Sequence, residues 1–408
     1  MSNVEVNMGS SGANLVRVCD SFGHYPAPRK VPVLSRLLNK VGVFVAKSEW
    51  LSEYSEFLLT EFDPALSFQR NPARVLSICN ETHDTRTFVL KPLRNFAGFS
   101  AGQHVSVEVE VNGVRRRRNY TISSSPERYE SEGVFTITVK IQPEGKVSNA
   151  LHSQVGTGDL VYLGKVSGEF LLRNPDRKTL MLAAGSGITP FMSMLEDLNQ
   201  PTHAAATYTV AKTDRQWVLM YYVRSGEDLI FGKRLERLAQ LIPGFIYVLM
   251  LSDKQGNIST TQIKKHCADL AERQVMLCGP GPFMDAARSL AEVGGVALQD
   301  IHQESFGASI PASNSAVLAQ EAIKKGTITF KRSGKTVSTD GTKSILEVAE
   351  SLGLNPKYGC RAGVCHECKC AKTEGRALNL LSGKVMDSDE GMVQTCVTVP
   401  YGAMEVDM

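Results

Sequence analysis

The chain has 408 residues, of which 42% are hydrophobic and 21% charged, and its net charge is +3. This length is too great for a single hydrophobic core, so we expect two to four domains. The small net charge argues against a nucleic-acid partner. Neither a secretory signal nor an uninterrupted apolar run of about 18 residues is found, so we expect a cytoplasmic protein that does not span a membrane.

Residues 1–70 form a predicted N-terminal extension. Its first 30 residues are rich in Ser, Asn, Gly and Pro, which is typical of poorly ordered chain. From Leu34 apolar residues recur at helical spacing, and a second such segment runs from Trp50 to Phe62. Residues 31–68 then either pack on their own protein or lie at a surface, as a peripheral contact with the inner membrane or a partner.

From Arg74 the hydrophobic period changes to two, which predicts β-strands. Several short strands within about 100 residues predict an antiparallel β-barrel over residues 71–174. The predicted strands are RVLSICNE, TRTFVLKP, HVSVEVEV, RNYTIS and VFTITVKI.

The strand RNYT carries three side chains suited to a flavin. Arg118 can pair with a phosphate, the Tyr120 ring can cover an isoalloxazine, and the Thr121 hydroxyl can reach a ring nitrogen. Further on, Gly145, Lys146 and Ser148 open a helical stretch, and such a helix N-terminus suits a pyrophosphate. Each motif is weak alone, but the two together on one barrel predict an FAD site.

Strands, among them ATYTVAK, and helices, among them Thr260–Leu270, alternate over residues 175–306, which predicts an α/β domain with an open parallel sheet. The strand TLMLAA runs into GSGITP, where Gly185 and Gly187 permit a tight turn close to a diphosphate. Thr189 is the predicted N-cap and Pro190 the first helical residue. The third glycine of the usual dinucleotide fingerprint is missing, so a standard Rossmann site is not supported.

A second turn of this domain, Cys278-Gly279-Pro280, follows the strand VMLCG and places Cys278 where open parallel sheets bind ligands. A buried structural thiol is the alternative for Cys278.

The strand WVLMYYV ends at Arg224-Ser225, and Lys233-Arg234 follow nine residues on. A guanidinium and a hydroxyl at a strand end suit a 2′-phosphate, which predicts NADPH over NADH. Glu227 and Asp228 are the alternative, since either could accept from a free ribose hydroxyl.

After a small, polar linker over residues 307–320, residues 321–408 are predicted to form a small α+β domain. A hairpin of TITF and KTVST leads to a helix over Ser344–Leu352, and the last strand lies near Met404–Val406. Three clustered cysteines and a distant fourth match the plant-type [2Fe–2S] pattern. The predicted ligands are Cys360, Cys365, Cys368 and Cys396.

A zinc site is the alternative for these cysteines, but zinc sites usually use paired C-x2-C units, and only one is present. Cys370 is expected to point into the small core. The five cysteines outside the cluster show no disulfide spacing, which fits a reducing compartment.

The motifs RNYT, GKVS, GSGITP, CGPGPFM and CRAGVCHEC occur in an order that resembles the ferredoxin–NADP reductase superfamily fused to a plant-type ferredoxin domain. The resemblance covers about residues 72–408. Within such fusions, the segments FAGFSAGQHVSVEVEVNGVRRRRNYTISSSP and LSEYSEFLLTEFDPALSF are similar to reductases that serve membrane fatty-acid desaturases.

The resemblance implies a reductase in which electrons pass from NAD(P)H to FAD, then to the [2Fe–2S] cluster and an external acceptor. Cys278 would lie beside the nicotinamide, Thr121 at the flavin ring, and Glu304 and Phe306 at the flavin's border. The other implied cofactor contacts are Arg118, Tyr120, Gly145, Lys146 and Ser148 for FAD, and Gly185, Gly187, Thr189 and Pro190 for the nucleotide.

A membrane di-iron desaturase or a related hydroxylase of lipid metabolism is the acceptor we favour from the sequence. A soluble Rieske or P450 oxygenase is the alternative acceptor. A redox-sensing regulatory protein is the alternative of another class, but it needs no hydride-donor site. The sequence leaves the oligomeric state open.

Overall fold

The computed structural model describes residues 70–94, 96–111, 113–143, 145–200, 217–306, 326–341, 343–358, 363, 368–380, 384–387 and 391–408. The predicted helices within residues 31–68, the predicted strand ATYTVAK, the linker, and Cys360 and Cys365 lie outside these residues. The chain divides into two compact units, one of Met1–Cys278 with Ala287–Gln303 and one of Gly279–Ala286 with Glu304–Met408. No helix in the described ranges is long and apolar enough to cross a membrane.

Six antiparallel strands form the predicted barrel in the order β4-β3-β6-β1-β2-β5. The strands are β1 (Asn71–Thr82), β2 (Thr85–Pro92), β3 (His104–Val111), β4 (Val114–Thr121), β5 (Phe135–Lys140) and β6 (Leu160–Ser167). An antiparallel bridge between Ile122 and Ile137 joins the two ends of this sheet. Helices α1 (Pro126–Glu132) and α2 (Lys146–Ser153) follow β4 and β5.

The five strands predicted from the alternating pattern are confirmed, whereas β6 was missed. In LVYLGKVS the buried alternation stops at Gly164-Lys165, both exposed, so only the first half of the strand carries the signal.

The predicted parallel sheet follows the barrel in the chain and has the order β11-β10-β7-β8-β9. Its strands are β7 (Thr179–Ala184), β8 (Trp217–Val223), β9 (Phe245–Leu251), β10 (Gln274–Gly279) and β11 (Ile301–Ser305). Its helices are α3 (Thr189–Leu198), α4 (Gly232–Leu241), α5 (Ser252–Gln255), α6 (Thr260–His266) and α7 (Gly281–Val293).

The direction of strand addition in this sheet reverses at β7. The chain moves from β7 to β8 and β9 on one side, then returns to place β10 on the other side of β7. Ligands of open α/β sheets bind at such a reversal, outside the carboxyl ends of the strands. The turn at Gly185 and the residue Cys278 both lie at this edge.

The C-terminal part forms a mixed sheet in the order β13-β12-β17-β14-β15, with β16 paired to β14. The elements are β12 (Gly326–Phe330), β13 (Lys335–Thr339), α8 (Ile345–Ser351), β14 (Lys369–Asn379), β15 (Val385–Met386), β16 (Gly391–Gln394) and β17 (Thr398–Val406). The predicted hairpin, helix and last strand are confirmed. Ser344 caps α8 through a reciprocal pair of hydrogen bonds with Glu347.

The cysteines bear out the expectations only in part. Cys370 packs against the core of the C-terminal sheet, as predicted. Cys79 on β1 is disulfide-bonded, so the expectation of no disulfide outside the cluster was wrong there. Cys267 and Cys278 are buried.

Candidate flavin, nucleotide and iron–sulfur sites

The end of β4 presents the predicted flavin residues. Thr121 is 5% exposed, and its hydroxyl has no hydrogen-bond partner among the described residues. Tyr120 packs against the barrel core, and burial raises the pKa of its phenol. Arg118 donates through Nη1 to the carbonyl of Arg117, 2.9 Å away. The strand therefore offers a cation, a ring and a buried hydroxyl that still lacks a partner.

Helix α2 packs against β3 and β4, which brings the GKVS motif to the strand that carries RNYT. Gly145 is the N-cap, and a Cβ there would lie 2.5 Å from Ser148 Oγ and 2.8 Å from Gln142 Cβ. Ser148 Oγ is already used, since it donates to the Gly145 carbonyl at 3.1 Å and accepts from the Gln142 amide at 3.2 Å. The first amides of α2 have no helical acceptor, and Lys146 beside them is exposed.

These features fit FAD. A hydroxyl buried without a partner is costly unless a ligand completes its hydrogen bond, and Thr121 is such a hydroxyl. A helix N-terminus with an adjacent lysine suits a diphosphate. The ring is then expected at Thr121 and Tyr120, and the diphosphate at Gly145 and Lys146.

The nucleotide motif GSGI forms a 3₁₀ turn, Gly185–Ile188, between β7 and α3, and this turn lies against β5 of the barrel. Gly185 has φ +53°, a conformation that favours glycine. Its carbonyl accepts a hydrogen bond from the Tyr221 hydroxyl at 3.0 Å. Tyr221 is fully buried, and this burial raises the pKa of its phenol well above the usual value.

The start of α3 differs from the prediction. Thr189 was expected to be the N-cap, but it is the first residue of the helix and Ile188 is the N-cap. The Thr189 hydroxyl donates to the Ser186 carbonyl at 3.1 Å, because the 3₁₀ turn supplies an acceptor that the sequence pattern does not show. Pro190 lies in the first turn of the helix, as expected.

Cys278 lies beside Ala183 in register at the carboxyl end of β10, as the motif predicted, but its side chain is fully buried. Its place beside a nicotinamide stays a prediction. Gly279 ends β10, and Pro280 accepts from the Met284 amide at 3.0 Å. Glu304 on β11 and the exposed Phe306 belong to the second compact unit, so their predicted position at the flavin also stays a prediction.

Arg224 and Ser225 follow β8, at the carboxyl edge of the sheet. Ser225 Oγ donates to Asp228 Oδ2 at 3.0 Å, and the Ser225 amide donates to the same oxygen at 3.2 Å. Ser225 and Asp228 thus satisfy each other, whereas the Arg224 side chain is exposed. Arg234, the last of the three basic residues noted in this stretch of sequence, forms an ion pair with Glu196.

Two of the four predicted iron ligands fall within the described residues, and they lie together. Cys368 Sγ and Cys396 Sγ are 3.2 Å apart, and each cysteine is 3% exposed. Thr395 ties the two segments, because its amide and its hydroxyl both donate to the Cys368 carbonyl, at 3.2 and 3.0 Å. Two adjacent thiolates fit one iron of a [2Fe–2S] cluster.

Comparison with known domain families matches the three parts in the same order. The chain matches an oxidoreductase FAD-binding domain at residues 72–170, an oxidoreductase NAD-binding domain at 181–289 and a 2Fe-2S iron–sulfur cluster binding domain at 328–401. An NADPH oxidoreductase of Mycobacterium tuberculosis is 32% identical over 351 residues, which are 85% of this chain and 86% of the relative.

The chain is a ferredoxin–NADP reductase-type flavoprotein with a [2Fe–2S] domain. A glycine betaine monooxygenase reductase subunit of Pseudomonas aeruginosa is 31% identical, covering 83% of this chain and 95% of that relative. The ferredoxin reductase component of a 3-ketosteroid-9-alpha-monooxygenase of M. tuberculosis is 32% identical, covering 80% and 92%. The structure of phthalate dioxygenase reductase aligns with a TM-score of 0.55 and 23% identity, over 83% of this chain and 97% of that one, and shows the same fold.

Membership of this reductase family makes the chain an NAD(P)H-dependent oxidoreductase with FAD and [2Fe–2S] cofactors. Sequence reasoning found the motif residues, but it missed Tyr221, which holds the nucleotide turn. A tyrosine inside the apolar run WVLMYYV has no motif of its own, and only the fold brings its hydroxyl to Gly185.

Proposed function

We propose that this reductase delivers electrons to a separate oxygen-activating enzyme, and that a terminal oxygenase component is that partner. The main observation behind this proposal is that one chain combines two sites. The buried Thr121 hydroxyl on the barrel suits a hydride-accepting flavin, and the adjacent sulfurs of Cys368 and Cys396 suit a one-electron centre. A bound FAD would supply hydride-accepting chemistry, and a bound [2Fe–2S] cluster would supply one-electron transfer.

The residues orient these groups rather than supply acids or bases. The Thr121 hydroxyl can donate to a ring nitrogen and can also accept from it, so it fits either protonation state of that nitrogen. Tyr221 fixes the Gly185 carbonyl and with it the turn that receives the nucleotide diphosphate. Cys278 is proposed to lie beside the nicotinamide, and Glu304 is proposed to lie at the border of the flavin.

The oxygenase proposal is supported by the relatives named above, two of which are reductase parts of monooxygenases. The M. tuberculosis NADPH oxidoreductase carries no acceptor in its name. A membrane desaturase, with the chain acting in the cytoplasm and touching the membrane through residues 31–68, is supported only by the sequence resemblance, so it stays the second candidate. The boundaries 71–174, 175–306 and 321–408 are proposed for the three domains.

Reconstitution separates these partners. The purified reductase, loaded with FAD and cluster, is supplied with NADPH and either a purified Rieske oxygenase component or membranes that contain a di-iron desaturase. Product formation with the oxygenase supports the proposal, and product formation only with the membranes favours the desaturase. A redox sensor would show no sustained NADPH oxidation with cytochrome c, and this result would overturn the proposal.

We also propose NADPH as the donor, with Arg224 at the 2′-phosphate. A hydrogen bond to a charged group contributes about 1.5–3 kcal/mol, so Arg224→Ala is expected to raise the KM for NADPH roughly tenfold or more and to leave the KM for NADH nearly unchanged. Arg237→Ala is the matched control, because Arg237 is an exposed arginine on α4. Equal changes for both nucleotides would contradict the assignment.

A further inference from the structure

The flavin strand and the nucleotide helix are joined directly by hydrogen bonds. Ser124 and Ser125 follow the RNYT strand, while Ser193 and Glu196 lie on α3, the helix that begins at the nucleotide turn. Ser193 Oγ donates to the Ser124 carbonyl at 2.7 Å, and the Ser125 amide donates to Glu196 Oε2 at 3.2 Å. The two motifs that must face each other are therefore linked within a few residues of each.

Arg234 on α4 holds the Glu196 end of this link. Its Nη2 donates to Glu196 Oε1, and the two side chains are only 13% and 20% exposed. Its guanidinium also lies 4.9 Å from the centre of the Phe231 ring. A largely buried carboxylate needs such a partner, because an uncompensated charge there is costly.

A second link runs from the same place to β1 of the barrel. The Phe231 amide donates to Glu81 Oε2 at 3.4 Å, and Thr87 Oγ1 donates to Glu81 Oε1 at 2.7 Å. Burial raises the pKa of Glu81, while Thr87, Arg234 and the Phe231 amide act in the opposite direction. The positive charge of Arg234 thus favours the ionised form of Glu81 and lowers its pKa.

The backbone of Phe231 is strained in this arrangement. Its φ is +62°, and it is the one non-glycine residue in the described ranges with a positive φ. This conformation is unusual for a bulky side chain and is energetically unfavourable. It is maintained because Phe231 is 3% exposed in the core, its amide meets Glu81, and its ring lies under Arg234.

We propose that Arg234, with Glu196, Phe231 and Glu81, is a positioning cluster that sets the nucleotide domain on the flavin barrel and thereby the distance over which hydride is transferred. Hydride transfer depends steeply on the separation and alignment of the two rings, and a displacement of about 1 Å can cost roughly a hundredfold in rate. Arg234 is not a residue of either motif and acts through Glu196 on Ser125. The cluster rests on the NAD(P)H–flavin chemistry of the family and not on the proposed acceptor.

The test uses the full-length, cofactor-loaded chain with Arg234→Met, which keeps side-chain length and removes the charge. Flavin reduction by saturating NADPH, followed in a single turnover, is expected to slow at least tenfold, with bound FAD unchanged. Arg234→Lys is expected to recover part of the rate. Arg237→Met, on the exposed side of the same helix, is expected to stay within twofold of wild type.

Amide hydrogen exchange gives a readout that needs no turnover. In Arg234→Met the amides of Ser125 and Phe231 are expected to exchange at least tenfold faster, while amides of the barrel core keep their protection. Flavin reduction at the wild-type rate, or unchanged exchange at both amides, would overturn the proposal. Equal loss of bound FAD in Arg234→Met and Arg234→Lys would make the arginine merely structural and would also overturn it.

None of these measurements involves the electron acceptor. If the reductase fails to reduce an oxygenase or a desaturase, the measurements on the Arg234 variants still test the role of Arg234.

Discussion

At the scale of single residues, Thr121 and Tyr221 both carry buried hydroxyl groups, but the hydrogen bonding of the two groups differs. Tyr221 is satisfied within the protein, because its hydroxyl donates to the Gly185 carbonyl. Thr121 has no such partner in the described part of the chain, so a ligand would have to provide one. The sequence could predict Thr121 from the RNYT motif, whereas Tyr221 depends on a contact between residues 36 positions apart.

Replacing Thr121 with Val is expected to change the apoprotein and the loaded enzyme in opposite directions. The substitution removes a buried, unsatisfied hydroxyl at almost constant shape, so the FAD-free protein should gain about 1 kcal/mol in the free energy of unfolding. Flavin reduction by NADPH should slow severalfold in the loaded enzyme, and Thr121→Ser should restore it.

Thr136→Val is the matched control for this change. The Thr136 hydroxyl is hydrogen-bonded to Ser123 at 2.9 Å, so its removal should lower the stability of the apoprotein. Thermal unfolding of both FAD-free variants decides the matter: a Thr121→Val protein as destabilised as Thr136→Val would mean that Thr121 has an internal role.

Tyr221→Phe is expected to loosen the nucleotide turn without touching the chemical step. Loss of one hydrogen bond of about 1 kcal/mol should raise the KM for NADPH roughly fivefold and leave kcat within twofold. Tyr222→Phe serves as control, because Tyr222 donates to Gln262 on α6. Steady-state kinetics with ferricyanide as acceptor measure both constants, and a fall in kcat at unchanged KM would refute the positioning role.

The elements themselves were largely predictable where one hydrophobic period persists. β7, β8 and β10 are buried along their whole length and stand out as continuous apolar runs. β6 and β11 were missed because their burial is partial and irregular. The predicted helix from Thr260 to Leu270 stops at His266, since the 3₁₀ turn Leu270–Glu272 follows as a separate element.

The short turn Thr395–Val397 shows what an element adds to a cysteine motif. The motif predicted that Cys396 would join the distant cysteines, but it could not predict the hydrogen bonds by which Thr395 holds the Cys368 carbonyl. These bonds join the backbone at Cys368 to the residue that precedes Cys396, and they thereby hold the two sulfurs side by side.

Cys396→Ser is therefore expected to remove the visible absorbance of the cluster and electron transfer to cytochrome c. Flavin reduction by NADPH should continue, because the flavin and nucleotide motifs lie in other parts of the chain. Cys370→Ser should keep the cluster, since Cys370 packs in the core and its thiol donates to the Asp407 carbonyl at 3.5 Å. Loss of flavin reduction in Cys396→Ser would count against independent sites.

At the scale of the whole molecule, the three cofactor motifs occupy successive parts of the chain. The flavin motif, the nucleotide motif and the cysteine motif follow one another, and the two that share a hydride lie in one compact unit. Their close linkage through Ser124, Ser125, Ser193 and Glu196 could not be predicted, because these residues match no motif and meet only when the barrel and the parallel sheet have both formed.

Deletion of residues 31–68 distinguishes a membrane-bound electron acceptor from a soluble one. If the acceptor is membrane-bound, deletion of 31–68 should leave NADPH oxidation with ferricyanide nearly unchanged and slow electron transfer to the membrane acceptor severalfold, because an amphipathic helix raises the local concentration of the reductase at the surface. If the acceptor is a soluble oxygenase, both rates should stay the same. Parallel assays of the deletion variant with ferricyanide, desaturase membranes and the oxygenase component distinguish these results. A collapse of the ferricyanide rate would instead show that the segment packs on its own protein, the first of the two alternatives that its helical pattern leaves open.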